Sequence, residues 1–159
     1  TGGDATRGWK LPGEPPDSDL SGYFTCANWG KESLACDFTV PAGRAVVHDL
    51  ARRADIVVVS FKPGDERKFA LDYATLAELN PRLIYGQITA YGPEDPRPGF
   101  DAILQAEAGF TFLNGEPDGP PTKMPVALID LLLAHQLKEG LLLALLKRAR
   151  TGRGSLVST

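Results

Sequence analysis

The stretch "ADIVVVSFKPG", Ala54–Gly64, decides the fold class. Ile56 and three valines stand in a row, and a Lys-Pro-Gly turn follows. A continuous β-branched run bounded by turn residues predicts a strand over Asp55–Phe61, buried on both faces, as in a parallel sheet. The segment before it, "PAGRAVVHDLARRA" (Pro41–Ala54), predicts an amphipathic helix. Pro41 suits the first turn, and Ala45, Val46, Leu50 and Ala54 fall near helical spacing. Arg52 and Arg53 sit where cations favour the helix dipole.

Working toward the C-terminus, "ERKFALDYATLAELNP" predicts a helix in its second half that stops before Pro81. "RLIYGQITAYG" is the next strand, ended by Gly92 and the turn-rich "PEDPRPG". "FDAILQAEAGFTFLNG" starts as a helix, and "EPDGPP" is a turn. A long, buried helix is predicted from Leu131 to Arg150, roughly 30 Å at 1.5 Å per residue. Asp130 stands at its N-cap, and Gly152 is its stop. Gly140 inside it costs about 1 kcal/mol against Ala, which predicts close approach of a neighbouring backbone. Helix alternating with strand makes the chain α/β with a parallel sheet and right-handed crossovers. On the N-terminal side, residues 1–22 read as loop, "YFTCANWGK" as a short strand and turn, and "SLACDF" as another short strand.

The bulk figures narrow the function classes. The 159 residues suffice for one domain with a real core, and 43% apolar with 23% charged residues describe a soluble globular chain. A net charge of −3 argues against a general nucleic-acid binder, which needs a basic excess. The two cysteines, Cys26 and Cys36, make no zinc pattern, and no disulfide is expected. No metal site is expected either. With no signal peptide and no apolar run free of charges, the expected setting is a reducing cytoplasm, away from membranes. The Gly-rich opening and the short "GRGSLVST" close suggest a fragment of something longer.

Asp130 is the residue that asks for chemistry. Val126–Ile129 and Leu131–Ala134 on either side of it are all apolar. The plain reading is a cap accepting from the amides of Leu132 or Leu133, worth about 1 kcal/mol. The functional reading uses the same place: a helix N-terminus keeps a carboxylate ionised, apolar neighbours strip its water, and such a carboxylate is a capable nucleophile. The two readings are compatible. His135 lies five residues on, about 140° around a helix, so an Asp/His pairing is not expected. His48 reads as a helix-surface hydrogen bonder. No standard phosphate loop is present. "SFKPGDERK" follows a buried strand and carries Lys62, Arg67 and Lys68, a phosphate-holding set or a solvated turn. "NWGKES" sets Trp29 and Lys31 about Gly30, either an adenine platform or a partly buried Trp beside a surface turn.

Taken in order, "GDATRGW", "YFTCANWGKESLACDFTVPAGR", "ADIVVVSFKPG", "LDYATLAELNPRLIYGQITAYG", "PGFDAILQAEAGF", "GPPTKMPVALID" and "LLALLKRARTGRG" resemble the family III CoA-transferases. This group includes formyl-CoA transferase, with the α-methylacyl-CoA racemases as cousins. The resemblance covers almost the whole chain. It implies a Rossmann-like parallel sheet with flanking helices, with residues 1–159 as part of a larger large domain whose N- and C-terminal parts lie outside the chain. It implies CoA transfer from an acyl-CoA to a carboxylic acid, with Asp130 as the nucleophile that carries a mixed anhydride and then an aspartyl-CoA thioester. Coenzyme A is substrate, and no metal is needed. It further implies that Cys36, Asp37, Phe38 and Thr39 line the CoA site with Ser60, Phe61 and Lys62. Lys68 is a phosphate contact, and Phe100 and Asp101 border the thioester end. The partners implied are small-molecule acyl-CoA and acid, with a homodimer for the full-length protein. "SFKPG" departs from the usual Asn-Phe/Tyr-Arg-Pro-Gly. The racemase branch has a His where Phe100 stands, which disfavours racemisation. An isomerising relative and a non-catalytic CoA-binding fragment are the alternative readings.

Overall fold

The computed structural model describes residues 3–159, which form two compact units, one ending at Ala35 and the other spanning Cys36–Thr159. The first unit holds a 3-10 turn, Ala5–Gly8, and helix α1, Gly22–Asn28. Both are locally capped. The Asp4 carboxylate accepts from the Thr6 amide at 2.8 Å, and Ser21 Oγ accepts from the Phe24 amide at 3.0 Å. Ser21 is buried and donates to the Thr6 carbonyl at 2.7 Å, which ties the two turns together. Trp9 packs on Tyr23, and the Arg7 guanidinium lies 3.9 Å over the Phe24 ring. The strand expected in "YFTCANWGK" is therefore a helix. The Ser21 cap and these aromatic contacts override the β-propensity of Tyr, Phe and Thr. Trp29 is 84% exposed, not partly buried.

The second unit is built on three parallel strands, β1 (Ile56–Val59), β2 (Ile84–Gln87) and β3 (Ser155–Ser158), in the order β1-β2-β3. Ile56 pairs with Ile84, and Ile84 with Ser155. The helices are α2 (Pro41–Arg53), α3 (Asp65–Lys68), α4 (Tyr73–Leu79), α5 (Asp101–Glu107), α6 (Phe110–Leu113) and α7 (Leu128–Thr151). The α/β reading with a parallel sheet flanked by helices holds. One sheet face packs on α2 and α4 through Ala51, Leu76, Leu83 and Tyr85, with Val57 and Val59 against them. Asn80 Nδ2 fastens this layer by donating to the carbonyls of Ala51 and Ala54, each at 3.0 Å. His48 Nε2 meets the Ala70 carbonyl at 2.8 Å, as its surface role suggested. Tyr85 donates its hydroxyl to the Leu71 carbonyl at 2.8 Å, and burial pushes the phenol well above its ordinary pKa.

Helix α7 covers the other face. Leu137 Cδ1 and Leu141 Cδ2 reach within 3.2 and 3.4 Å of where a side chain on Gly86 would begin. In the order β1-β2-β3, β1 is an edge strand, and α7 lies over β2 and β3, which leaves Val58 51% exposed. This corrects the expectation that "DIVVVSF" is buried on both faces. The strand so buried is β2, which has a neighbour on each side and helices above and below.

Three further expectations change. The buried line of α2 runs through Gly43 and Ala51 rather than Val46 and Leu50, which are 42% and 47% exposed. "SLACDF" forms no strand; Asp37 instead turns the chain by accepting from the Thr39 amide at 2.9 Å. The close neighbour of Gly140 is the side chain of Val157 on β3, whose Cγ1 would lie 2.6 Å from an added Cβ. Helix α7 is buried along one line, at Leu137 and Ala144, while Leu131, Leu132, Leu142, Leu143 and Leu146 are exposed. No helix among the described residues is long and apolar enough to cross a membrane.

Arg148 locks the far end of α7 to the sheet. Its side chain is 11% exposed and donates to the carbonyls of Asp55 and Arg82, each at 3.2 Å, and to the Asp55 carboxylate at 2.9 Å. Arg148→Met is expected to lower stability by about 1–3 kcal/mol, because it strips donors from fixed carbonyls. Arg148→Lys should recover only part of this, since an ammonium lacks the planar fork. Urea denaturation checks both. An unchanged midpoint for the Met variant would contradict the assignment.

Candidate functional site

The loops that leave the carboxyl ends of β1 and β2 open into one cleft, the place where open α/β sheets bind ligands. Ser60, Phe61 and Lys62 come from the β1 loop. Phe100 and Arg97 come from the segment ahead of α5, and Asp130 comes from the first turn of α7. Five residues singled out in the sequence, Ser60, Phe61, Lys62, Phe100 and Asp130, thus share one wall-to-wall space. Phe100 is 70% exposed at its mouth.

Asp130 is not the N-cap. Helix α7 begins at Leu128 behind Ala127, so Asp130 is its third residue, and Ala127 offers no side-chain cap. Apolar neighbours pull the chain into helix one turn earlier than the capping signal suggested. The Asp130 residue surface is open, yet the carboxyl lies against the cleft wall. Partial loss of water, and then the charge of Asp101, push its pKa above the ordinary carboxylate value. The expectation that the helix N-terminus dominates and keeps the acid readily ionised is reversed in direction. The neighbouring leucines also leave water access, since Leu131 and Leu132 are 52% and 50% exposed.

Asp101 does not line the cleft. Its Oδ1 accepts from the amides of Ile129 at 2.8 Å and Asp130 at 3.3 Å. Its Oδ2 accepts from Gln105 Nε2 at 2.6 Å. Gln105 is completely buried; it also donates to the Val126 carbonyl at 3.0 Å and accepts from the Met124 amide at 2.9 Å. Sequence reasoning missed Gln105. The available signal was its i+4 spacing from Asp101 on a helix, where Gln and Asp meet.

Arg97 was also missed, although it stands in the quoted "PEDPRPG". Its guanidinium lies 3.8 Å over the Tyr91 ring, and Asp95 accepts from its Nε and Nη2, at 3.1 and 2.8 Å. Arg97 lines the cleft as the cation of this ion pair, and Lys62 is the other cation of the lining.

The remaining candidates gather beside the cleft. Phe38 meets Phe61 at 5.9 Å and Phe69 at 5.1 Å, both edge-on, and Lys68 Nζ lies 5.0 Å over the Phe69 ring. Phe61 belongs to both groups and joins them. Cys36 Sγ donates to the Gly43 carbonyl at 3.2 Å. The hydroxyl and amide of Thr39 hold the Asp37 carboxyl below its usual range. Cys36, Asp37, Thr39 and Lys68 do not themselves line the cleft. The "SFKPGDERK" segment is less solvated than a plain turn. Gly64 opens α3, and Glu66 is buried, accepting from the Gly64 amide at 3.0 Å. His135 meets Lys138 Nζ, not Asp130. Among the described residues no cluster of three or more His, Cys, Asp or Glu could hold a metal ion.

The chain is similar to known proteins in sequence and fold. The chain is 39% identical to an acyl-CoA transferase of Fusarium pseudograminearum, over 98% of this chain and 36% of that protein. It is 39% identical to a succinate–glutarate CoA-transferase of Agrobacterium fabrum, over 96% of this chain and 40% of that protein. The crystal structure of Rv3272 from M. tuberculosis, in its orthorhombic form, superposes with a TM-score of 0.88 at 39% identity. That match covers 99% of this chain and 44% of that one. The chain therefore spans about two fifths of the length of the curated relatives it matches. The family model described as CoA-transferase family III matches residues 1–159, and the chain belongs to that family.

Proposed function

We propose that this chain is the nucleophile-bearing part of a CoA-transferase large domain, and that Asp130 carries CoA between two carboxylic acids. The observation that carries the reading is the position of Asp130 in a cleft at the carboxyl ends of parallel strands, flanked by the cations Lys62 and Arg97. Its carboxylate attacks the donor thioester carbonyl, and the C–S bond breaks to release CoA thiolate and leave a mixed anhydride. The thiolate then attacks the aspartyl carbonyl and expels the donor acid, giving an aspartyl-CoA thioester. The acceptor carboxylate enters, and the same steps run in reverse. Lys62, which lines the same cleft, is the positive group available to the developing oxyanions, because the first amides of α7 are taken by Asp101, Val126 and Ala127.

CoA runs from the Phe38, Phe61 and Phe69 cluster, with Lys68 taking phosphate, past Ser60 and Lys62 to a thioester end at Phe100. Cys36, Asp37 and Thr39 shape the approach by holding Phe38. The acids in the name of the succinate–glutarate relative support small acyl-CoA and carboxylate substrates. Anhydride and thioester both hydrolyse, so turnover needs water excluded. The exposure of Asp130, Leu131 and Leu132 supports a reading in which that cover comes from elsewhere in the full-length protein. A cytoplasmic homodimer is the assembly that fits the family resemblance. Racemisation is disfavoured, because Phe100 offers no proton-transfer group beside Asp130.

The test is to trap the intermediate. The full-length protein is mixed with an acyl-CoA donor without acceptor and analysed by peptide mass spectrometry. A CoA thioester on Asp130 is expected, and labelling elsewhere, or none, would refute the reading. The pre-steady-state rate of adduct formation should rise with pH through a midpoint above the ordinary carboxylate value. Only the ionised carboxylate attacks, and its pKa is raised.

A further inference from the structure

We propose that Asp101 is a positioning residue for Asp130, held in place by Gln105, rather than a contact for the CoA thioester. The inference rests on the reading of Asp130 as nucleophile.

The first four amides of a helix have no acceptor within the helix. In α7 the N-cap is Ala127, which has nothing to offer them. A carboxylate from another helix does the work: Asp101, at the start of α5, accepts from Ile129 and Asp130. One turn further along α5, Gln105 takes the Met124 amide and the Val126 carbonyl and donates to Asp101. Two side chains on one face of α5 therefore pin the segment 124–130 at four backbone groups. Gln105 is 0% exposed, and every polar atom of its amide is used.

The chemistry of this node requires an ionised acid. Three N–H groups converge on Asp101: the two α7 amides and Gln105 Nε2. A carboxylate accepts at both oxygens, whereas an Asn would place an NH₂ against one of these donors. The arrangement also sets one negative charge close behind another. Asp101 is a cause of the raised proton affinity of Asp130, after loss of water. The other charged groups of the cleft lining are Lys62 and Arg97, the latter ion-paired with Asp95. Removing the Asp101 charge leaves loss of water as the remaining cause of the raised proton affinity.

The experiment uses the full-length enzyme and the trapped aspartyl-CoA adduct. Adduct formation by the parent protein is measured first, and its absence would sink the nucleophile reading by itself. With the adduct present, Asp101→Ala is expected to slow its formation on the order of 100-fold, the scale of a misplaced reacting group. The donor KM should stay within about threefold, as for loss of an interaction felt in the transition state. Asp101→Asn should shift the midpoint of the pH–rate profile to lower pH, which a purely structural role would not do. A raised donor KM with an unchanged rate constant would make Asp101 a ligand contact and overturn the proposal. So would an unmoved midpoint in Asp101→Asn. If the Ala variant fails to fold by circular dichroism, the Asn profile decides alone.

Discussion

Asp130→Asn in the full-length protein is expected to form no CoA adduct and to lose CoA transfer on the order of 10⁴-fold or more. The amide keeps the shape of the side chain and removes the negative oxygen that attacks the thioester. Stability should move the other way. Asp130 has a folded pKa raised above its unfolded value, so the stability linked to it is fully present below the unfolded value of about 4. That stability is lost as pH rises through the folded pKa, and at neutral pH the ionised carboxylate is a cost to the fold. The Asn variant therefore melts at or above the parent temperature at pH 7. This advantage should vanish below the unfolded carboxyl value, where the parent residue is also neutral. Calorimetry at the two pH values checks the sign. A variant that still carried CoA at position 130, or that melted lower only at neutral pH, would contradict the assignment of both charge and role.

The second large effect is expected at Gly43. It is buried in the first turn of α2, and a methyl there would fall on the Asp37 carbonyl, with Asp37 C only 2.5 Å away. Backbone cannot yield as a flexible side chain does. Gly43→Ala should cost about 3 kcal/mol, the upper range of overpacking. It should read out as a lower urea midpoint with an unchanged slope. The displaced segment carries Phe38, so the edge-on contacts with Phe61 and Phe69 loosen as well. In the full-length enzyme the donor KM should then rise. Gly8→Ala is the contrast, because nothing lies within 4 Å of its added methyl, and a change within about 0.5 kcal/mol is expected there. Equal losses at both positions would mean that close approach is not the reason for Gly43.

Where a segment declares its own conformation, the sequence was a sound guide. Pro41 and the Arg52-Arg53 pair bracket α2, Pro81 stops α4 one residue past Asn80, and the valine run is a strand. It misled where two local signals compete. Tyr, Phe and Thr after Ser21 favour strand by propensity, and the Ser21 cap and contacts with Trp9 and Arg7 turn them into helix. Adjacent apolar positions in α2 fit more than one face; the close backbone of Asp37 selects Gly43, and the core beneath selects Ala51.

The candidate site divides in the same way. Residue order alone picks out which carboxylate stands among apolar neighbours, which loops follow the strands, and, through the ordered motifs, the family. All of these depend on residue identity and on spacing along the chain. It took the packing of the elements to put Asp130 within the first turn of α7 rather than at its cap, to give the helix amides to Asp101 rather than Ala127, and to bring Arg97 into the cleft. Ile129 and Asp101 are 28 positions apart in the chain and 2.8 Å apart in the fold. Hydrogen bonds of that kind depend on how α5 and α7 meet across the end of the sheet, and no local pattern encodes that meeting. Edge burial follows the same logic: β1 and β2 are both apolar runs, and only their places in the sheet leave Val58 half exposed and Tyr85 buried.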